Sequence, residues 1–221
     1  CKAQQLNILD QNNEESDYNW YVDQALYEAA ACLNISLDEL YSGGYRIYTC
    51  LNTTLQAECE TILSDESIYP RAPSGELAQG AAVVMQSDGG VSAIVGGRTY
   101  ECALCFNRAT DALRQPGSLI KPIAVYAPAV EEGGMFAASY VVDEPVDFDG
   151  YQPENYGGGY SGAMMLRDAL AQSTNTPAVK ILSELGANTG FAYAQRAGLT
   201  LDEQDQTLSL ALGGLTQGVT P

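Results

Sequence analysis

Two hydrophobic blocks, Ala81-Ala82-Val83-Val84-Met85 and Val91-Ser92-Ala93-Ile94-Val95, flank the polar turn Asp88-Gly89-Gly90. Short β-branched runs on either side of glycines predict an antiparallel hairpin, with the glycines where positive φ is needed. Upstream, Tyr45, Ile47, Tyr48 and Leu51 predict a strand, and Thr53 to Leu63 an amphipathic helix with Leu55, Cys59, Ile62 and Leu63 inward. Downstream, Ile123, Val125, Tyr126 and Val130 predict a helix that opens at Ser118 and stops at Gly133-Gly134, backed by the hairpin strands. Asp143 to Tyr160, rich in Pro, Gly, Asn and Tyr, reads as a long irregular segment that lines a groove or crosses the surface. Helical patterns return at Ala163 to Gln172 and Pro177 to Leu185, the latter with Thr176 as N-cap and Pro177 as first helical residue. The pattern as a whole predicts an α+β fold, with several helices grouped around an antiparallel sheet and no internal repeat.

Composition adds bounds. At 221 residues and 46% hydrophobic, the chain can bury a large core, and its low charged fraction argues against disorder. A net charge of −18 argues against nucleic-acid binding through phosphates and against attraction to an anionic lipid surface. The acidic residues are scattered, as in Glu14-Glu15, Glu131-Glu132, Asp143-Glu144 and Asp202-Glu203, and read as solvated surface with no catalytic role. No run approaches the roughly 18 apolar residues of a membrane helix. The opening Cys1-Lys2 is read as the start of a piece of a longer protein rather than of a mature lipoprotein.

The six cysteines allow disulfides, and Cys102-Ala103-Leu104-Cys105 has the spacing of a redox or metal half-site. It has no partner half-site and the chain has no histidine, so neither metal nor other cofactor is expected. The cysteines read as incidental or structural thiols rather than redox groups.

The missing histidine also excludes a Ser-His-Asp triad, so a serine nucleophile here needs another base. Arg114-Gln115-Pro116-Gly117-Ser118-Leu119-Ile120-Lys121-Pro122 supplies one. If Ser118 opens a helix, Lys121 lies nearly one turn on and on the same face, so serine and amine can touch. A lysine accepts a proton only when neutral, which burial favours. Backbone N–H groups at the helix start would stabilise negative charge beside Ser118. Ser173-Thr174-Asn175 offers a second polar pair, Ser173 and Asn175. The same residues also read without catalysis, Ser118 as the N-cap of a loop-to-helix junction and Thr176-Pro177 as an ordinary helix start.

Read in order, several motifs resemble the transpeptidase domain of class A penicillin-binding proteins. They are Gly44 to Thr49, Thr54-Leu55-Gln56, Gly96-Gly97-Arg98-Thr99-Tyr100, Phe106-Asn107-Arg108-Ala109-Thr110 and Arg114 to Pro122. The similarity continues through Pro153-Glu154-Asn155-Tyr156, Leu166 to Leu170, Ser173 to Val179, Leu210-Ala211-Leu212-Gly213 and Gly218-Val219-Thr220-Pro221. It covers residues 43 to 221 as part of a transpeptidase domain of the penicillin-binding and serine β-lactamase-like fold. Residues 1 to 42 resemble the region that connects it to an upstream glycosyltransferase domain and membrane anchor.

The resemblance implies that Ser118 is the acylated nucleophile, Lys121 its proton acceptor, and Ser173 and Asn175 the second active-site motif. It implies a D,D-transpeptidase that cross-links peptidoglycan stem peptides ending in D-Ala-D-Ala, is acylated by β-lactams, and works on the extracytoplasmic face of a bacterial membrane. Alternatives on the same fold are a β-lactamase, a D,D-carboxypeptidase or a noncatalytic scaffold. The family's third motif, Lys-Thr/Ser-Gly, is expected beyond Pro221, so the piece alone is expected to be impaired. Cys50 and Asn52 stand where the family usually has threonine and aspartate.

Overall fold

The computed structural model describes residues 18–221, so the Glu14-Glu15 reading lies outside the described residues. The chain divides into two units, one running to Ala112 and including Thr220–Pro221, the other Leu113–Val219. The predicted hairpin belongs to the first and the Ser118 helix to the second.

The first unit holds α1 (Asn19–Leu33), α2 (Leu37–Ser42), α3 (Thr53–Ser64), β1 (Ala82–Met85) and β2 (Val91–Val95). Ser36 and Glu39 form a reciprocal capping box that starts α2. Leu26 and Ala30 of α1 pack with Leu40 of α2, while Tyr21 packs with Ile94 and Ala109. Residues 19–42, read above as part of a connecting region, thus contribute helices to the core of this unit.

The hairpin forms as predicted, with Ala82 opposite Val95 and Val83 opposite Ile94. Gly89 takes φ 89° at its turn, and the Gly90 N–H donates to the Asp88 carboxylate. Two expectations are corrected. Residues 45–51 form no strand; Tyr45 and Tyr48 are exposed, so their spacing marks no buried sheet face. The helix at 53–64 forms, but Ile62 is 60% exposed while Gln56 is fully buried. The Gln56 carboxamide donates to Ile94 O and accepts from Ile94 N, both at 2.8 Å, and so satisfies the edge of β2. Asn52, the departure noted above, is the N-cap of α3, its side chain accepting from the Thr54 and Leu55 N–H groups. Cys102 and Cys105 are joined in a disulfide.

The second unit is mainly helical, with one two-stranded sheet. A helical run from Gly117 to Glu131 is followed by β3 (Tyr140–Asp143), β4 (Gly162–Met165), α5 (Leu166–Ala171), α6 (Asn175–Leu185) and α7 (Ala187–Arg196). β3 and β4 pair antiparallel, Val141 opposite Met164. The core gathers Ile120 and Val125 from the first run, Val179 and Leu182 from α6, Phe191 from α7 and Leu210.

The run through Ser118 is not a uniform α-helix. It passes from a 3₁₀ turn (Gly117–Ile120) through a π turn (Pro122–Tyr126) to α4 (Ala127–Glu131). Two prolines explain this. Pro122 has no N–H for the Ser118 carbonyl, which accepts from Lys121 three residues on instead. Pro128 likewise has none for Ala124, and the Ala127 N–H reaches back five residues to Pro122 O. The Ala124 carbonyl so released lies where a Cβ on Gly190 would be 2.5 Å away.

The helix expected from Ala163 starts at Leu166, because Gly162–Met165 is spent as a strand. α6 begins two residues earlier than expected. Thr174 is its N-cap and Pro177 its third residue, where a missing N–H costs no helical bond. Thr176 is unavailable as a cap because its hydroxyl donates to Asp143. Asp143 itself corrects the reading of solvated acids: it is 1% exposed. Among the described residues no helix is long and apolar enough to cross a membrane.

Candidate active site

Ser118 and Lys121 lie three apart at the 3₁₀ turn, whose three-residue period stacks them on one face. Ser118 is exposed, beside an 81% exposed Leu119, whereas Lys121 is completely buried. The lysine amine turns to the 173–175 segment. It donates to Ser173 O (2.7 Å), Thr174 O (3.1 Å), Asn175 Oδ1 (2.7 Å) and Ser173 Oγ (3.2 Å). Of the four predicted site residues, Lys121, Ser173 and Asn175 are therefore in direct contact. Ser118 is joined to Lys121 through the backbone bond between them, and its hydroxyl is not among the amine's four partners.

Burial pushes the Lys121 amine down from 10.5 to about 8. An ammonium has three protons for these acceptors and a neutral amine two. The surrounding oxygens favour the charged form and burial the neutral one, which leaves the group poised near neutrality.

The 173–175 turn aims its carbonyls by an unusual use of serine. The Ser173 N–H bonds Leu170 O and the Thr174 N–H bonds Ala169 O, the paired bonds of a Schellman ending to α5. The residue at the left-handed position of that ending is commonly glycine. Here it is Ser173, at φ 54°. A side chain there costs about 1–2 kcal/mol, and it is the side chain that touches Lys121.

Asn175 is fixed on three sides. Its Oδ1 faces Lys121, its Nδ2 donates to Glu154 O (2.7 Å), and its backbone N–H donates to Asn155 Oδ1 (2.8 Å). Thr174 offers α6 no side-chain cap, so Asn155 supplies it from across the unit, accepting from Thr176 N as well (3.4 Å). Asn155 in turn donates to Asp143 (2.7 Å).

The junction before Ser118 is clamped by the segment 213–219. Arg114 and Val219 exchange two backbone hydrogen bonds, and the Gln115 carboxamide pairs with both N–H and O of Leu215, at 2.6 Å each. Gly213, at φ 73°, lies so close that a Cβ on it would collide with the Gly117 backbone. Motif reading assigned no role to Asn155, Asp143, Gln115 or Gly213. Gln115, Asn155 and Gly213 lay inside quoted stretches, but contacts such as Gln115 with Leu215, 100 residues apart, leave no local periodicity to find. Among the described residues no group of three or more His, Cys, Asp or Glu side chains is placed to hold a metal.

The chain is similar to known proteins. Residues 80–211 match the family described as penicillin binding protein transpeptidase domain. The chain belongs to that family. Penicillin-binding protein 1F of Bacillus subtilis is 39% identical over 94% of this chain and 29% of its own length. Penicillin-binding protein 2a of Streptococcus pneumoniae is 36% identical over 90% of this chain and 28% of its own length. The chain thus spans under a third of the length of these curated relatives. The crystal structure of Penicillin-Binding Protein 1A from Haemophilus influenzae is 34% identical, with a TM-score of 0.56 over 66% of this chain and 24% of that one. That of PonA1 from Mycobacterium tuberculosis in complex with penicillin V has a TM-score of 0.76 over 92% of this chain and 56% of that one, and at 24% identity it speaks for the fold. The resemblance to class A penicillin-binding proteins and the α+β transpeptidase fold expected from the motifs are borne out.

Proposed function

We propose that this chain carries the nucleophile, base and second motif of a peptidoglycan D,D-transpeptidase, with Ser118 as nucleophile. Membership in the transpeptidase family supports acyl transfer. The observation that carries the residue assignment is the fully buried Lys121, held by Ser173, Thr174 and Asn175 and brought down to about 8. A lysine so placed is neutral in a useful fraction near physiological pH, as a general base must be.

In this reading Ser118 Oγ attacks the carbonyl of the penultimate D-alanine while Lys121 takes its proton. The tetrahedral oxyanion is met by the Ser118 amide and, from a Lys-Thr/Ser-Gly strand beyond Pro221, a second N–H. Collapse breaks the C–N bond. The departing D-alanine amine takes a proton relayed from Lys121 through Ser173, whose hydroxyl is 3.2 Å from the amine. An amine of a neighbouring stem then attacks the Ser118 ester, forms the new amide and returns the proton to Ser118. Asn175, its carboxamide fixed by Glu154 O, orients the substrate amide.

β-Lactams acylate Ser118 by the same attack, their opened ring remaining attached. The longer protein pairs this domain with a glycosyltransferase and a membrane anchor, and acts on the extracytoplasmic face of a bacterial membrane. Residues 1–42 join those parts to the domain, with α1 and α2 packed into its first unit. Incubating the full-length protein with stem peptides ending in D-Ala-D-Ala and an acceptor amine should release D-alanine in step with cross-linked product. D-alanine release with only hydrolysed donor would assign a carboxypeptidase instead.

A further inference from the structure

We infer that Asp143 is a positioning residue of the acyl-transfer site, setting the place of Asn175 through the Asn155 carboxamide. Asp143 is 1% exposed at the end of β3, and its carboxylate accepts from the Thr176 hydroxyl, Asn155 Nδ2 (2.7 Å) and Ser161 N (2.8 Å). It has no basic partner in this set. Burial pushes its carboxyl up, but the bonds from Thr176, Asn155 and Ser161 outweigh that and hold it below the usual range, so at working pH it is an acceptor only.

That polarity has a consequence two bonds away. A carboxamide has one donating and one accepting end, and a carboxylate admits only the donating end. Asp143 therefore fixes Asn155 with Nδ2 toward itself and Oδ1 toward Asn175 N and Thr176 N. This is the cap of α6, because Thr174 provides none. Asn175 is the first residue of α6, so the cap sets where its Oδ1 meets Lys121 Nζ. Asp143 reaches Lys121 only by way of Asn155 and Asn175, so it acts through geometry.

The variant Asp143→Asn has nearly the same shape and scrambles this order. Its new carboxamide can face Asn155 with a donor, which invites Asn155 to flip and present Nδ2 to the Asn175 N–H, donor against donor. Exchanging the two residues restores it. In Asp143→Asn/Asn155→Asp, the carboxamide moved to position 143 keeps its oxygen on Ser161 N and donates to Thr176 Oγ1 and to the carboxylate moved to position 155. That carboxylate accepts from Asn175 N and Thr176 N. Two bonds are lost: the one to Gly159 O, in an exposed place where water substitutes, and the one the Thr176 hydroxyl donates in the native chain, which is why recovery is expected to stop short of the wild-type rate.

The inference rests on the reading of Lys121 and Asn175 as active-site groups. The test is the rate of acylation by a fluorescent penicillin, across pH and beside melting temperature, in the full-length protein. Asp143→Asn should slow acylation by about a hundredfold, the scale of a misplacement near 1 Å, and Asn155→Asp by at least as much. The double variant should return to within about tenfold of wild type, with the pH inflection due to Lys121 in place. A merely structural role would lower the melting temperature but leave the rate of the folded fraction unchanged. Wild-type rates in folded Asp143→Asn, or a double variant no faster than the singles or unable to fold, overturn the inference. If neither single folds, the double alone decides. A wild type that takes no adduct on Ser118 sinks the functional proposal and this inference together; a labelled wild type matched by Asp143→Asn sinks only this one.

Discussion

Ser173 shows what a single residue contributes to this site. Its backbone closes α5 in a left-handed conformation that suits glycine, and its hydroxyl reaches the buried amine of Lys121. Ser173→Gly keeps the carbonyl contact and relieves the backbone, so it should stabilise the protein by about 1 kcal/mol while slowing acylation. Chemical denaturation beside acylation kinetics checks this; equal or lower stability would contradict the strain argument. Lys121 gives a second prediction, with its sign fixed by direction. Its folded value is depressed from 10.5 to about 8, so the unfolded chain binds the extra proton between those values and stability rises with pH across that window. Lys121→Met should abolish the rise. In wild type the acylation rate should climb through an inflection near pH 8 as the amine loses its proton. The residue types at this scale were legible in the sequence, because the absence of histidine and the Ser-x-x-Lys spacing left few alternatives. The partners of Lys121 were not. A lysine three residues from a serine was expected to touch it, yet four oxygens from 173–175 at 2.7–3.2 Å engage the amine.

The elements owe their irregularities to prolines and glycines whose effect depends on distant chain. Pro122 and Pro128 turn the expected helix into successive 3₁₀, π and α turns, and both were visible in the sequence. The outcome was not legible there, because the π turn is tolerated only where Gly190 of α7 leaves room for the Ala124 carbonyl. Gly190→Ala should therefore force α7 off this turn and lower stability by about 1–3 kcal/mol, the range for overpacking; an unchanged melting temperature would contradict the packing. Gly213 serves the site more directly. Gly213→Ala combines a left-handed φ with collision against the Gly117 backbone, so it should displace the turn that carries Ser118. Acylation should fall at least about tenfold, as small misplacements do. The hairpin and the positions of α3 and α6 followed from periodicity. The strand at 45–51 and the Ile62-inward face of α3 failed because aromatic spacing and apolarity do not reveal that Gln56 completes the edge of β2.

Across the whole molecule, a charge of −18 conceals three buried acids among the described residues, Asp23, Asp143 and Asp205. Asp143 and Asp205 are both almost fully buried. Burial raises each carboxyl, but donated hydrogen bonds, from Thr176, Asn155 and Ser161 in one case and Thr216 and Asp202 in the other, bring both below 3.8. Depressed carboxyls contribute stability that is full above their unfolded value and lost as pH falls through the folded one. The melting temperature should hold down to about pH 4 and drop below it, and Asp205→Asn should flatten the drop; an acid limb unchanged in that variant would refute the assignment. The fold class was legible at this scale because ordered motifs carry it. The division after Ala112 was not, since it is defined by pairings such as Arg114 with Val219 that no local pattern reports. Every step of the proposed reaction passes through Ser118 as the acylated group. Its most direct test is covalent labelling of the full-length protein by a penicillin, read by intact mass and peptide mapping, with Ser118→Ala as control. One persistent adduct on the peptide holding Ser118, absent from the folded control, is the predicted result. An adduct at another residue, or labelling retained in Ser118→Ala, would contradict it.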